Sequence, residues 1–155
     1  MNFINDRELA LRFKNNAVHS NERFLYFIIY MTISTLFSGY ILGSTLYADP
    51  INKFDVLSDI INVIIIIAGT TICYRTNRAG DDREFIERMM CIGFPAAIRS
   101  FIILFIFIIL YLIFIGSIER ERTSEEYSLY AIPPVIAYGL YFYWRMNASI
   151  RIAAN

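Results

Sequence analysis

The sequence predicts an all-α membrane protein with four transmembrane helices, and three features of its composition support that fold class. Hydrophobic residues make up 57% of the 155 residues, whereas soluble domains contain about 45–50%. The 14 basic and 14 acidic residues are gathered in short blocks, and the stretches between these blocks carry almost no charge. Residues 101–117 carry none at all, although a soluble amphipathic helix keeps a polar face along its length. These stretches are therefore expected to lie in lipid.

Four segments are predicted to cross the membrane, and each is named by its order in the chain. They are span 1 (residues 24–47), span 2 (56–74), span 3 (96–116) and span 4 (128–144). About 20 mostly apolar residues are needed to cross a hydrocarbon core of roughly 30 Å, and spans 1 and 3 meet this length. Span 2 is centred on the apolar run 63–67. Span 4 is short, but the tyrosines and Trp144 near its ends match the aromatic belts of membrane interfaces.

The polar residues outside the spans define the remaining segments. We expect a leader at residues 1–23, a membrane domain at residues 24–146 and a tail at residues 147–155. A short helix is predicted at residues 6–15 of the leader, where Leu9, Leu11 and Phe13 are mixed with charges, and we expect it on the surface. Span 1 is longer than the ~7–15 apolar residues of a secretory signal, so it is predicted to stay in the mature protein.

The distribution of Lys and Arg predicts the direction of the spans. Ten of these residues fall in the leader, between spans 2 and 3 or from the end of span 4 onward, while the other two loops hold three. Cytosolic loops carry the excess of Lys and Arg, so both termini are predicted to be cytosolic. An even number of spans also places both termini on one side. The expected location is the cytoplasmic (inner) membrane.

A short amphipathic helix is predicted on the cytosolic side at residues 81–92, just before span 3. Gly80 interrupts the preceding helix, and Asp81 is placed to cap the next one. Glu84 follows three residues later, which completes the spacing of a capping box. Apolar residues of this segment share the face opposite its charges. The pattern indicates a helix that lies along the membrane and exposes a charged face to the cytosol.

The charged face of this helix is the predicted docking surface for a cytosolic protein. Its members are spaced for ion pairs one turn apart: Arg83, Glu84, Glu87 and Arg88. The basic residues alone would suit anionic lipid or would simply fix the topology. Because acidic residues are interleaved with them, a protein partner is favoured over lipid.

Small residues at four-residue intervals in span 1 predict a packing seam. These residues are Thr35, Gly39 and Gly43. Small side chains let two helix backbones approach closely, and such packing is a main source of helix association in lipid. The seam is expected between copies of a homo-oligomer, with close packing inside one subunit as the alternative.

Three polar residues are predicted to lie within the membrane. Asp59 and Asn62 are three positions apart in span 2, and Arg99 is near the start of span 3. Ionisable groups in a span are costly, by roughly 2.5–3.5 kcal/mol at its centre, and often have a functional role. Asp59 and Asn62 would line a water-filled path, or Asp59 would reach the headgroups. Arg99 would pair with an acid or with freed carbonyls, or would reach the phosphates.

Three prolines are predicted to bend or gate the spans. Pro95 precedes span 3, and Pro133 and Pro134 lie in span 4. Proline cannot donate a backbone hydrogen bond, and such breaks are tolerated at membrane depth where neighbours or water satisfy the freed groups. These sites would serve as hinges or as ordinary kinks.

No pattern of catalytic or cofactor-binding residues is found in the sequence. The single histidine and two cysteines are too few for a zinc site. No phosphate-binding glycine loop and no Ser/His/Asp set is present. The net charge is zero, so the overall charge gives no reason to expect nucleic-acid binding. We therefore expect neither an enzyme nor a cofactor.

Two functional hypotheses follow. The first is a small homo-oligomeric membrane protein that acts as an anchor or sensor subunit, with membrane lipid, its own copies and a cytosolic protein as partners. The alternative is an ion-conducting channel or membrane-perturbing pore lined by the polar face of span 2, such as a stress or phage-defence effector.

Overall fold

The computed structural model describes residues 4–38, 52–118 and 124–155, and in these ranges the chain is helical with short turns. It contains α1 (Asp6–Lys14), α2 (Ser20–Ser38), α3 (Lys53–Ala79), α4 (Phe85–Ile118) and α5 (Ser124–Ala154). No strand is found in the described ranges. The predicted all-α class is therefore confirmed.

Two of these helices are long and apolar enough to cross a membrane. They are α3, Lys53–Ala79, and the part of α4 from Phe85 to Tyr111. Only 11% of the most apolar stretch of α3 is buried. An equally apolar helix in a water-soluble protein would lie in the core and be mostly buried. Apolar surface that is left in water costs about 25 cal/mol for each Å² exposed. The two helices are thus consistent with a membrane protein.

Helices α3 and α5 run in the same direction and are in close contact. Near their middle, Gly69 faces Tyr143, and at their ends Gly80 faces Ala154. A Cβ atom on Gly69 would overlap the Tyr143 ring, so glycine is what makes room for that ring against the α3 backbone. Further toward the start of both helices, Ile65 faces Gly139 in the same way.

Helix α4 runs parallel to α2 and antiparallel to α5. The rings of Tyr26 and Phe94 are 6.4 Å apart, between α2 and α4. The early part of α4 contacts the late part of α5, where Met146 would be 3.7 Å from a Cβ atom on Gly93. Neighbouring long helices therefore alternate in direction along the chain.

The buried core lies at the end of the bundle where α1 packs, called here the α1 end. Its fully buried apolar side chains come from all five helices: Leu9, Ala10, Phe13, Tyr26, Cys73, Cys91, Ile92, Met146 and Ile150. Helix α1 contacts both α4 and α5. The predicted leader helix is thus present, with one face exposed and the other buried against the bundle.

The start of α4 differs from the prediction. The predicted helix 81–92 and span 3 form one helix, which begins at Phe85 and continues through the buried Pro95. The predicted capping box is absent. Asp82 and Glu84 have positive φ angles of 52° and 48°, so residues before Phe85 are not helical. Pro133 and Pro134 likewise lie inside a continuous helix, α5.

Candidate functional site

A buried carboxylate joins the leader to the bundle at the α1 end. Asp6 is fully buried, and its Oδ2 accepts a 2.6 Å hydrogen bond from the Ser149 hydroxyl. Arg145 Nη2 lies 2.9 Å from each carboxylate oxygen, and Arg99 Nη1 lies 3.5 Å from Oδ1. These four residues, the Asp6 cluster, connect α1, α4 and α5.

The partners of Asp6 keep it ionised. Burial acts to raise its pKa, but the hydrogen bonds from Ser149 and Arg145 and the positive charges of Arg145 and Arg99 outweigh that effect, and the pKa lies below the ordinary 3.8. A buried charge persists only when it is paired and hydrogen-bonded in this way. The cluster therefore acts as an ionic contact at neutral pH and not as a proton donor or acceptor.

The sequence around Asp6 explains why the side chain points inward. Asn5 caps α1 by accepting a hydrogen bond from the Glu8 amide at 3.2 Å, which starts the helix at Asp6. Asp6, Leu9, Ala10 and Phe13 then recur at intervals of three and four, so they share one face. All of that face is buried. The Asp6 carboxylate therefore lies on the same face as the apolar side chains that pack on α4 and α5.

A second polar cluster fixes the turn between α3 and α4. Arg88 is buried, and its Nη1 and Nη2 bind the two carboxylate oxygens of Asp81 at 2.5 and 2.6 Å. The same Nη1 donates to Asn77 Oδ1 at 2.9 Å. The side-chain amide of Asn77 donates to the backbone carbonyl of Arg83. The backbone N–H of Asp81 donates to the backbone carbonyl of Ala154. Asn77, Asp81 and Arg88 form the Arg88 cluster, which holds the turn against the end of α5.

Ion pairs also connect the leader with this turn. Arg23 Nη1 lies 2.9 Å from Glu84 and 2.5 Å from Glu87. The Arg23 guanidinium is also 5.1 Å from the centre of the Phe13 ring, so one residue links α1, α2 and the start of α4. Arg23 has a raised pKa; burial acts to lower it, and the bonds to Glu84 and Glu87 outweigh that effect.

The predicted docking residues are together, but not all are exposed. Arg83, Glu84 and Glu87 are exposed, whereas Arg88 is 3% exposed, so its predicted exposure is wrong. The predicted ion pairs one turn apart, Arg83–Glu87 and Glu84–Arg88, do not form, because residues before Phe85 are not helical. Glu84 and Glu87 bind Arg23 instead, and Arg88 binds Asp81. Recognition of a partner by these residues stays a prediction.

The three predicted intramembrane polar residues have different surroundings. Asp59 and Asn62 are exposed on α3. Asn62 lines an open, mostly apolar groove of about 740 Å³ with residues of α2, α4 and α5. Arg99 pairs with an acid, one of the predicted possibilities, and that acid is Asp6 of the leader. Arg99 thus has a carboxylate partner at the α1 end, whereas Asp59 and Asn62 are on the exposed surface of α3.

The predicted packing seam falls mostly outside the described residues. Gly39 and Gly43 lie beyond them, and Thr35 lies in α2 with its side chain undescribed. A different small-residue seam is present between α3 and α5, with Gly69 and Gly139 at its close contacts. Close packing inside one chain is therefore achieved by glycines other than those singled out in span 1.

Sequence reasoning missed Asp6, Arg145 and Ser149 as members of a polar cluster. The available signal was the position of Asp6 on the same helical face as Leu9 and Phe13. A carboxylate on an apolar face needs a buried partner, so it predicts one. The identity of that partner had no local signal, because Ser149 is 143 residues away.

Within the described ranges, no group of three or more His, Cys, Asp or Glu side chains could hold a metal ion. The two cysteines there, Cys73 and Cys91, are free and buried. Comparison with known proteins gives no match to a family model, a curated protein or a solved structure.

Proposed function

We propose that the chain is a four-span protein of the cytoplasmic membrane whose α1 end faces the cytosol and docks a cytosolic protein. The apolar helices α3 and α4, the alternating helix directions and the Lys/Arg distribution support this orientation. The α1 end carries the leader, the turn between α3 and α4 and the end of α5. In this role the protein is a membrane anchor or sensor subunit.

The observation that carries this proposal is the assembly of one surface from distant parts of the chain. Arg23 holds Glu84 and Glu87 beside the leader. Ile86 is 67% exposed between these acids. Protein interfaces commonly combine an apolar centre with a polar rim. Ile86 and its charged neighbours have that composition.

The backbone of this surface is held in one shape before any partner binds. Asp82 and Glu84 occupy the left-handed region, which costs non-glycine residues about 1 kcal/mol or more each. The Arg88 cluster maintains that conformation. A preorganised surface loses less conformational entropy on binding, and this favours recognition.

A direct test is co-purification after crosslinking in cells with the double variant Ile86→Ser/Arg83→Glu. Both residues are exposed, so the variant should fold and reach the membrane but lose a crosslinked cytosolic protein that the native chain retains. Arg78→Glu, which is exposed and outside this surface, is the matched control and should keep the partner. Retention by the double variant would contradict the proposed surface.

The orientation has a separate test. A cytosolic reporter fused after the tail should be active, and the thiol of the Ser124→Cys variant should react with an impermeant reagent in intact cells. A silent reporter together with an unlabelled Ser124→Cys variant would refute a cytosolic α1 end, provided the variant is labelled after the membrane is permeabilised.

The alternative function is an ion-conducting homo-oligomer lined by α3. Asp59 and Asn62 favour it, because both are exposed within an otherwise apolar stretch. Several copies could enclose these side chains around a common path. Asp59→Asn should then lower cation selectivity in planar-bilayer recordings, since it removes a fixed negative charge. Native recordings without conductance would remove this alternative and leave docking.

A further inference from the structure

A basic cavity of about 290 Å³ lies between α3 and α5 at the α1 end. Four of its lining residues belong to α3: Ile72, Arg75, Thr76 and Ala79. They recur at intervals of three and four, so they form one stripe along that helix. Arg151 of α5 and Asn155, which follows the end of that helix, line the other side of the cavity.

Two guanidinium groups line this cavity. Arg75 and Arg151 are exposed, and neither forms an ion pair with a residue in the part of the chain that the structure describes. Arg88, Arg23 and Arg145 differ, because each is bound to a carboxylate. Like charges that converge on one cavity attract an anion, and planar guanidinium groups match phosphate oxygens.

The position of the cavity favours a lipid headgroup as the source of such a phosphate. Ile72, one turn before Arg75 on the same stripe, is 53% exposed, and span 2 ends at residue 74. The arginines therefore lie where an apolar helix meets the polar α1 end. In a membrane this is the depth of the phospholipid headgroups, with Ile72 next to the acyl chains.

We propose that Arg75 and Arg151 bind the phosphate of one anionic phospholipid, whose acyl chain lies along Ile72. Basic pockets between helices on the cytoplasmic side are suited to such headgroups. The proposal rests on the membrane embedding of α3 proposed above and is independent of any cytosolic partner. It gives the α3–α5 seam a lipid ligand in addition to its glycine contacts.

The test is native mass spectrometry and thermal unfolding of the full chain in detergent, titrated with phosphatidylglycerol or phosphatidylcholine. The native protein should retain one phosphatidylglycerol in preference to phosphatidylcholine and unfold at a higher temperature with it. The double variant Arg75→Gln/Arg151→Gln should bind it roughly 10- to 30-fold more weakly, as expected for the loss of two basic groups near a headgroup.

The matched control is Arg78→Gln/Arg83→Gln, which removes the same charge from exposed residues that do not line the cavity. It should bind phosphatidylglycerol as the native chain does. Equal weakening in both double variants would overturn the proposal, because the attraction would be to overall charge. Displacement of the lipid by millimolar inorganic phosphate would also overturn it, because the site would then recognise free phosphate.

Extraction with alkaline carbonate separates this proposal from the embedding on which it rests. A chain that stays in the membrane fraction but shows no preference for phosphatidylglycerol refutes the lipid site alone. A chain released into the soluble fraction refutes the embedding.

Compared with the glutamine double variant, Arg75→Lys/Arg151→Lys should restore most of the binding, because it keeps both charges but not the forked geometry.

Discussion

The α1 end and the exposed apolar lengths of α3 and α4 are stabilised in different ways. At the α1 end, buried apolar side chains surround the Asp6 and Arg88 clusters, whose charges have partners. Along residues 56–67 of α3 and 101–114 of α4, most large apolar side chains are exposed. The first region excludes solvent by its own packing, whereas the second leaves its apolar surface for another medium.

This difference shows where specific contacts matter. In lipid, exposed apolar side chains bring little gain from burial, so helix association depends on close packing at small residues. The Tyr143 ring against Gly69, in the α3–α5 seam, is such a contact. At the α1 end, a lost partner leaves an unpaired charge in a buried site, which is costly. Four predictions test that contrast, from the largest expected effect to the smallest.

The Asp6→Asn variant should release α1 from the bundle. It removes the negative charge that pairs Arg145 and Arg99 in a buried site, at a cost of about 3 kcal/mol. In an Ala10→Cys background, the buried thiol should become reactive much faster when Asp6 is changed. Asp82→Asn removes an exposed charge and is the control. Equal protection in both variants would show that apolar packing alone holds α1.

Acid should release α1 in the same way. Because the pKa of Asp6 is depressed in the folded protein, its stabilising effect is present above about 3.8, the ordinary value, and is lost as the pH falls through the lower folded value. Reactivity at the Ala10→Cys position, expressed relative to the denatured chain at the same pH because only the thiolate reacts, should therefore stay low from pH 7 to about 4 and rise below it. The pKa values of Glu22 and Asp81 are also lowered, chiefly by hydrogen bonds from Arg12 and Arg88. An acid response unchanged by Asp6→Asn would assign the effect to those groups.

The Gly69→Leu variant should destabilise the α3–α5 seam by about 2 kcal/mol, because the added side chain overlaps the Tyr143 ring. The expected result is a lower unfolding temperature in detergent. Ala68→Leu, at the exposed neighbouring position, should leave that temperature unchanged. If both variants unfold alike, the close approach does not contribute to stability.

The Glu22→Gln variant should have the smallest effect. Arg12 binds Glu22 through two hydrogen bonds of 2.6 and 2.8 Å, but the pair is partly exposed. Such pairs contribute about 0–1 kcal/mol. Thiol reactivity at the Ala10→Cys position should change by no more than a few fold and should respond to salt. A release of α1 as large as that of Asp6→Asn would place this pair among the essential contacts.

The sequence by itself determined the helical class and the two helices that are apolar enough to cross a membrane. Hydropathy is a local property, so the runs around residues 63–67 and 101–117 are read directly from their own residues. It also placed the leader helix almost to the residue. These properties depend on neighbours within a few turns.

Only the tertiary structure decided which charges are buried and what they bind. Asp81 has the spacing of a helix cap, but Arg88 binds it in the folded chain, and α4 therefore begins at Phe85. Asp6 is bound by residues far along the chain, and no local pattern contains that information. The physical reason is that a buried charge left without its partner costs about 3–5 kcal/mol, whereas a local cap contributes about 1 kcal/mol. The partners of such a charge meet only when the helices pack.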